Sequence, residues 1–304
     1  SEAGAEAGAG SGPPNVDGKA RPARLPAMAT TELPVLRNAA TQPLNPLRDI
    51  RDLAQYWNLI ANLVQRELTV RYKRSVFGFL WTMLNPLLLM IILTVVFSTM
   101  FRFEGIEHYP TYFLSEYLVF GFFAQTTVQS MTSLSWHGSL MKRVRVPKSI
   151  FAVSTTLSGL VNLCLAYVPL FLIMVVTGSP IGWTVLFLPV AFLIIAAFAL
   201  GISLLLSALA VYFEDVSHMY QVATVGLMYM TPIIYPISIV PYKWLWLIRI
   251  NPLTHLFKLA RDPVYLGALP GLHVVGASVA SAAIALVVGW VVFHRLARGF
   301  YLHL

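Results

Sequence analysis

Charge is scarce in this sequence. Ionised side chains make up 11% of 304 residues, against 57% that are apolar, whereas ordinary globular domains run to about a quarter charged. The apolar residues therefore fall in unbroken blocks instead of being dispersed at helical or strand spacing, which excludes a soluble enzyme. Cysteine is nearly absent too. Cys164 stands alone inside an apolar block, so an intrachain disulfide and a thiolate zinc site are both excluded. No GxxxxGKS/T loop is present to cradle nucleotide phosphates, and no GxSxG elbow or HExxH pair occurs. The histidines at 108, 137, 218, 255, 273, 294 and 303 are scattered, without metal-ligand spacing.

The blocks also have almost no ionisable residues in their interiors. Proton relays and ion pathways in membrane pumps are built from such groups, and here Glu116 is the clear candidate. Its expected role is an interfacial carboxylate paired with a basic group. A transporter without an ion relay or an ATP site of its own needs energy from another chain.

What is present follows the bilayer. A helix needs about 20 apolar residues to cross a hydrocarbon core, and six blocks meet that length: Ser75 to Phe101, Tyr112 to Trp136, Ser149 to Gly178, Ile181 to Phe213, Met219 to about Pro241, and Leu272 to Phe293. The mean hydropathy of +0.71 agrees. The expected fold is an all-α membrane protein with six transmembrane helices. Residues 1–45 are rich in Ala, Gly and Pro, lack the apolar core of a signal peptide, and read as a disordered tail. From Leu47, apolar residues at Ile50, Leu53, Trp57, Ile60 and Val64 follow helical spacing, predicting an N-terminal amphipathic helix lying at the headgroup boundary, with Asn45 as N-cap and Pro46 in the first turn.

The net charge of +8 sets topology and does not point to nucleic acid. With both termini cytoplasmic, the inner side holds 16 of the 21 Lys and Arg residues, as the positive-inside bias requires. Between Thr231 and Gly271 six prolines interrupt the chain, so this stretch is no lipid-exposed span. Two short re-entrant helices before the last span, near Tyr242 to Ile250 and Leu253 to Tyr265, fit its length; a plain external loop is the alternative.

Two features suggest a substrate path. The second block carries Gln125 and Gln129 among a run of hydroxyls, either lining a path or bonding helix to helix. Aromatic residues crowd one half of the blocks: Phe97, Phe101, Tyr117, Phe120, Phe123, Tyr229 and Tyr235. Interfacial belts are routine, yet aromatic faces also pack against the C–H faces of sugars.

The run RELTVRYKRSVFGFLWTMLNP, with Arg66, Arg71, Tyr72, Lys73, Ser75, Gly78, Trp81 and Pro86, resembles the opening of the transmembrane permease subunits of ABC-type polysaccharide exporters, which move O-antigens, capsules and teichoic acids. Glu67 and Phe77 stand where that family more often has Asp and Leu. MKRVRVPKSIF resembles its basic loop and INPLTHLFKLARDPVYLG its outer segment before the last span; in VYFEDV, Glu214 replaces a basic residue of the usual YFRD. The resemblance covers about Leu47 to the C-terminus and implies that residues 46–304 form an exporter transmembrane domain. It further implies a homodimer in the bacterial inner membrane, working with two copies of a separate nucleotide-binding ATPase subunit. ATP and magnesium would bind in that partner, and this chain would carry no cofactor and no enzyme activity of its own. Lys142, Arg143, Arg145, Pro147 and Lys148, with Glu214 and Asp215, are the expected ATPase-facing residues. Arg66, Arg71, Lys73 and Arg74, with Tyr72 among them on the expected substrate path, are placed at the cytoplasmic mouth, where guanidinium forks suit the phosphate of a lipid-linked polysaccharide; positive-inside topology and contact with anionic membrane lipids account for the same basic residues. A permease for a small hydrophobic molecule or lipid is the alternative within transport. A membrane-embedded transferase is a third class, for which Glu214, Asp215 and His218 form the closest acidic and histidine set.

Overall fold

The computed structural model describes residues 53–72, 77–96, 108–136, 146–297 and 299–300. Among these residues the chain is helical, with no strand: α1 (Trp57–Tyr72), α2 (Trp81–Val96), α3 (Tyr109–Trp136), α4 (Ser149–Thr177), α5 (Leu188–Tyr212), α6 (Asp215–Met230), α7 (Leu245–Ile250), α8 (Pro252–Arg261) and α9 (Leu272–Ala297). Three helical stretches, Ser149–Thr177, Trp183–Tyr212 and Leu272–Ala297, are long and apolar enough to cross a membrane. The 28 residues of α3 are also long enough, about 42 Å at 1.5 Å per residue, but they carry Glu116, Gln125, Gln129 and many hydroxyls.

For the second, third, fourth and sixth blocks the expected boundaries are close to those observed; the helix of the first block starts later, at Trp81, and its expected end lies outside the described residues. Helix α4 ends where Gly178 takes a left-handed φ of 70°, letting the Ser179 amide reach back to the Met174 carbonyl at 2.9 Å, a backbone state glycine adopts without strain. Helix α6 stops at Met230, well short of Pro241: Thr231 is extended at φ −104°, ψ 132°, the conformation that a following proline imposes. The Asn-Pro pair after α7 is a helix start. Asn251 Oδ1 accepts the Leu253 amide at 3.0 Å, and Pro252 occupies the first turn, where its missing N–H costs nothing.

The two short helices appear where proline spacing puts them, but they differ in surroundings. Along α8, Leu256, Phe257, Leu259 and Ala260 are fully buried among α3, α5 and α9. In α7 only Ile248 is buried, and Trp246 and Ile250 are exposed. The tightest pairing joins α5 to α9. A side chain on Gly289 would collide with the Gly201 carbonyl, and one on Gly201 with the backbone of Ala285, so these glycines let two backbones touch as small residues do between membrane helices.

Helix α1 has the expected amphipathic character with its buried stripe rotated. Ile60 is buried and Leu53, Leu63, Val64 and Leu68 are half-buried, whereas Ala54, Trp57 and Ala61 are exposed. Leu63 packs on a cluster formed by Leu134, Phe151, Ala152, Leu204, Ala208, Phe293 and Phe300. The helix also continues through the basic segment to Tyr72. The predicted cap at Asn45 and Pro46 lies outside the described residues.

Candidate functional site

Three carboxamides from three helices meet on one cleft. Asn85 comes from α2, immediately before Pro86; Gln125 from α3; and Asn162 from the middle of α4. The cleft is open on one side, has a volume of about 270 Å³ and is completed by Trp81, Tyr117, Leu118, Phe122, Gly159, Leu163 and Ala166. Tyr117 is held by a stacked contact with Phe113, centroids 5.0 Å apart. Gly159 permits the close approach of α3 and α4 at the cleft wall, since a β-carbon there would run into Thr126 Oγ1 and the Phe122 ring.

Asn162 is the unusual member. Its side chain is buried, 6% exposed, and neither amide atom has a hydrogen-bond partner. A buried amide left unpaired costs on the order of 1–3 kcal/mol, and hydrocarbon offers nothing to offset that cost. Water or a polar ligand in the cleft would satisfy it.

One helical turn away, on the same two helices, lies a carboxylate knot. Glu67 of α1 accepts from Gln129 Nε2 and, at 2.6 Å, from Ser158 Oγ. Gln129 is four residues after Gln125 on α3, and Ser158 four before Asn162 on α4. Residues so spaced lie one above the other on a helix face. The amphipathic helix is thereby fastened to the two walls of the cleft one turn from its carboxamides.

Toward the opposite end of α3, Glu116 is buried and pairs with Arg261 at the end of α8, 2.8 Å apart. This is the partnered role expected for Glu116. Tyr112, on the same face, donates to the Tyr235 carbonyl at 3.1 Å and lies under the Arg261 guanidinium, 5.3 Å from the ring centroid.

The remaining sequence candidates separate. Phe120 and Phe123 are buried in the core, against Phe257 and Phe198. Tyr235 donates to the Tyr229 carbonyl at 2.6 Å, and the Tyr229 side chain is exposed. Thr127, from the polar run, accepts the Tyr220 hydroxyl at 3.0 Å, bonding α3 to α6. Arg66 is exposed on α1, and Arg71 and Tyr72 close that helix. Lys148 donates to the Ala297 carbonyl and sits over the Phe300 ring at 5.0 Å, and burial lowers its ammonium pKa to about 8. Pro147 is half-buried beside it, and Glu214, on the turn between α5 and α6, and Asp215, the first residue of α6, are exposed. Lys73, Arg74, Phe97, Phe101, Lys142, Arg143 and Arg145 lie outside the described residues.

Of the residues lining this cleft, Tyr117 and Gln125 were among those the sequence proposed for a substrate path, and Asn85 and Asn162 were not. The available signal was a lone carboxamide inside an otherwise apolar block, which is costly in lipid for the same reason as a charge, though to a lesser degree.

Residues 58–265 match the family model described as ABC-2 type transporter. The chain is 30% identical over 247 residues to the O-antigen export system permease protein RfbA of Myxococcus xanthus, covering 80% of this chain and 93% of that protein. It is 26% identical to the protein of the same name from Klebsiella pneumoniae, over 81% of this chain and 94% of that one. A third relative is the capsule polysaccharide export inner-membrane protein CtrC of Neisseria meningitidis, 24% identical over 65% of this chain and 75% of that protein.

Proposed function

The chain belongs to the ABC-2 type transporter family, and we infer that it is the multi-pass permease subunit of an ATP-driven exporter of polysaccharide in the bacterial inner membrane. The relatives named for O-antigen and capsule export support the substrate class. The observation that carries a polar substrate is the unpartnered Asn162 in a carboxamide cleft at mid-helix. A small hydrophobic substrate would leave that amide unsatisfied and is the poorer match.

In finer detail, the chain spans the membrane six times with cytoplasmic termini, pairs with a second copy of itself, and engages two copies of an ATPase subunit. The substrate is lipid-linked, and Arg66, Arg71, Lys73 and Arg74 receive its phosphate at the cytoplasmic mouth. The segment Lys142 to Lys148, with Glu214 and Asp215, faces the ATPase. Movement imposed on α1 reaches the cleft through Glu67, whose partners on α3 and α4 stand one turn from Gln125 and Asn162. Phe97, Phe101, Tyr117, Phe120, Phe123, Gln129, Tyr229 and Tyr235 belong to the same proposed path, by lining it or by holding its walls.

Deleting the gene is expected to remove polysaccharide from the cell surface while it accumulates inside; surface polysaccharide persisting at the parental level would overturn the reading. Arg71→Ala with Lys73→Ala is expected to reduce export and the glycan-stimulated ATPase rate while membrane insertion remains normal.

A further inference from the structure

The chemistry of the cleft is more selective than polysaccharide export alone requires. Asn85, Gln125 and Asn162 each offer both a donor and an acceptor, the combination that matches sugar hydroxyls. Trp81 and Tyr117 add aromatic rings to the same lining. Among the described residues, no Asp, Glu, Lys, Arg or His lines it. A carboxylate brought into such a site would find no cation among these residues, and burying an unpaired charge is far costlier than burying an unpaired amide. The volume of about 270 Å³ falls just below the range of pockets that take drug-sized ligands, roughly 300–1,000 Å³, a size suited to one sugar ring in an open groove.

We propose that the cleft between α2, α3 and α4 is a subsite for one uncharged sugar ring, with Asn162 as its innermost hydrogen-bonding residue, and that it favours neutral over acidic glycans. The proposal rests on the export function inferred above and names the sugar chemistry that this site accepts. The cleft is water-filled when empty, since the Asn162 amide needs a partner in either state.

The test uses the full-length chain with Cys164→Ser and Asn85→Cys, in nanodiscs of phosphatidylethanolamine and phosphatidylglycerol that contain no glycolipid. A neutral, water-soluble methanethiosulfonate is expected to modify the introduced thiol. Maltohexaose or mannohexaose, added as free oligosaccharide, is expected to slow modification, and hexagalacturonate is not. Adding Asn162→Leu is expected to weaken the protection, read as the ratio of modification rates with and without sugar in the same variant, by about fivefold, the effect of losing one or two neutral hydrogen bonds. Asn162→Ser, a smaller polar replacement, keeps part of the protection and serves if the leucine variant does not fold. A thiol that is never modified, or that instead cross-links to a second copy, would overturn the proposal. So would protection absent with both neutral probes, equal with the acidic one, or unchanged by the Asn162 variants. A deletion strain that loses surface polysaccharide while these probes fail leaves export standing and removes the subsite; retained surface polysaccharide counts against export itself.

Discussion

Glu116 and Arg261 are 145 positions apart in sequence and meet as a buried ion pair, Oε1 to Nη1 at 2.8 Å. The pair ties α3 to the end of a ten-residue helix, and the same guanidinium also lies over the Tyr112 ring of α3. Since breaking a buried pair strands a charge, Glu116→Leu alone is expected to cost about 3–5 kcal/mol. Glu116→Leu with Arg261→Met, which removes both charges, is expected to recover most of that loss. Thermal midpoints of the purified variants in detergent check it; equal losses in the single and double variants would contradict the pairing.

The α5 and α9 backbones touch through Gly201 and Gly289. Gly289→Leu is therefore expected to force the helices apart and to lower the amount of folded chain in membranes severalfold, a large effect of the kind overpacking produces. Gly276→Ala, on the same helix but with open space around its α-carbon, is expected to leave the level unchanged. Immunoblots of membrane fractions distinguish the two.

Glu67 accepts hydrogen bonds from α3 and α4 at once. Replacing it with Ala leaves Gln129 without this acceptor and exposes α1 to sliding along its groove. ATP hydrolysis by the complex is expected to lose its response to glycan while the membrane level holds; Glu67→Gln, which keeps one acceptor oxygen, is expected to retain part of the response. Parallel assays of ATPase stimulation and membrane abundance decide the matter, and a fully coupled Glu67→Ala complex would refute the linkage.

Lys148 titrates near pH 8 in the folded chain because burial disfavours its charged form, against an ordinary value of 10.5. Between those two pH values the unfolded chain binds more protons than the folded one, so stability rises with pH across that window and is flat below it. A scan of thermal midpoint from pH 7 upward is expected to show this rise in the parent and to lose it in Lys148→Met.

Much of the architecture was legible in residue order alone, for reasons that act locally. Apolar runs mark α4, α5 and α9 because hydrocarbon tolerates nothing else for that length, and prolines at 232 and 252 fix where α6 stops and α8 starts because they act on their own and neighbouring backbone. The pairing of Glu116 was foreseeable in kind, since a carboxylate beside an apolar block needs a cation. Its partner was not, because eight Lys and Arg residues lie between the second and last blocks and were equally eligible on charge alone.

The cleft lay further from view. Asn85, Gln125 and Asn162 stand on separate helices, and no periodicity within one helix reports how it is rotated against the next. That rotation comes from side-chain packing: the absence of a β-carbon at Gly159 sets how closely α3 and α4 approach. The same packing turned Trp57 outward on α1 and Ile60 inward, though both belong to the apolar stripe predicted from spacing. The sequence by itself determined that this is a helical membrane chain, poor in internal charge, because bilayer length and hydration costs act on each segment separately. Only the tertiary structure decided which polar groups share a cleft and which serve as glue, because that depends on contacts between segments far apart in the chain.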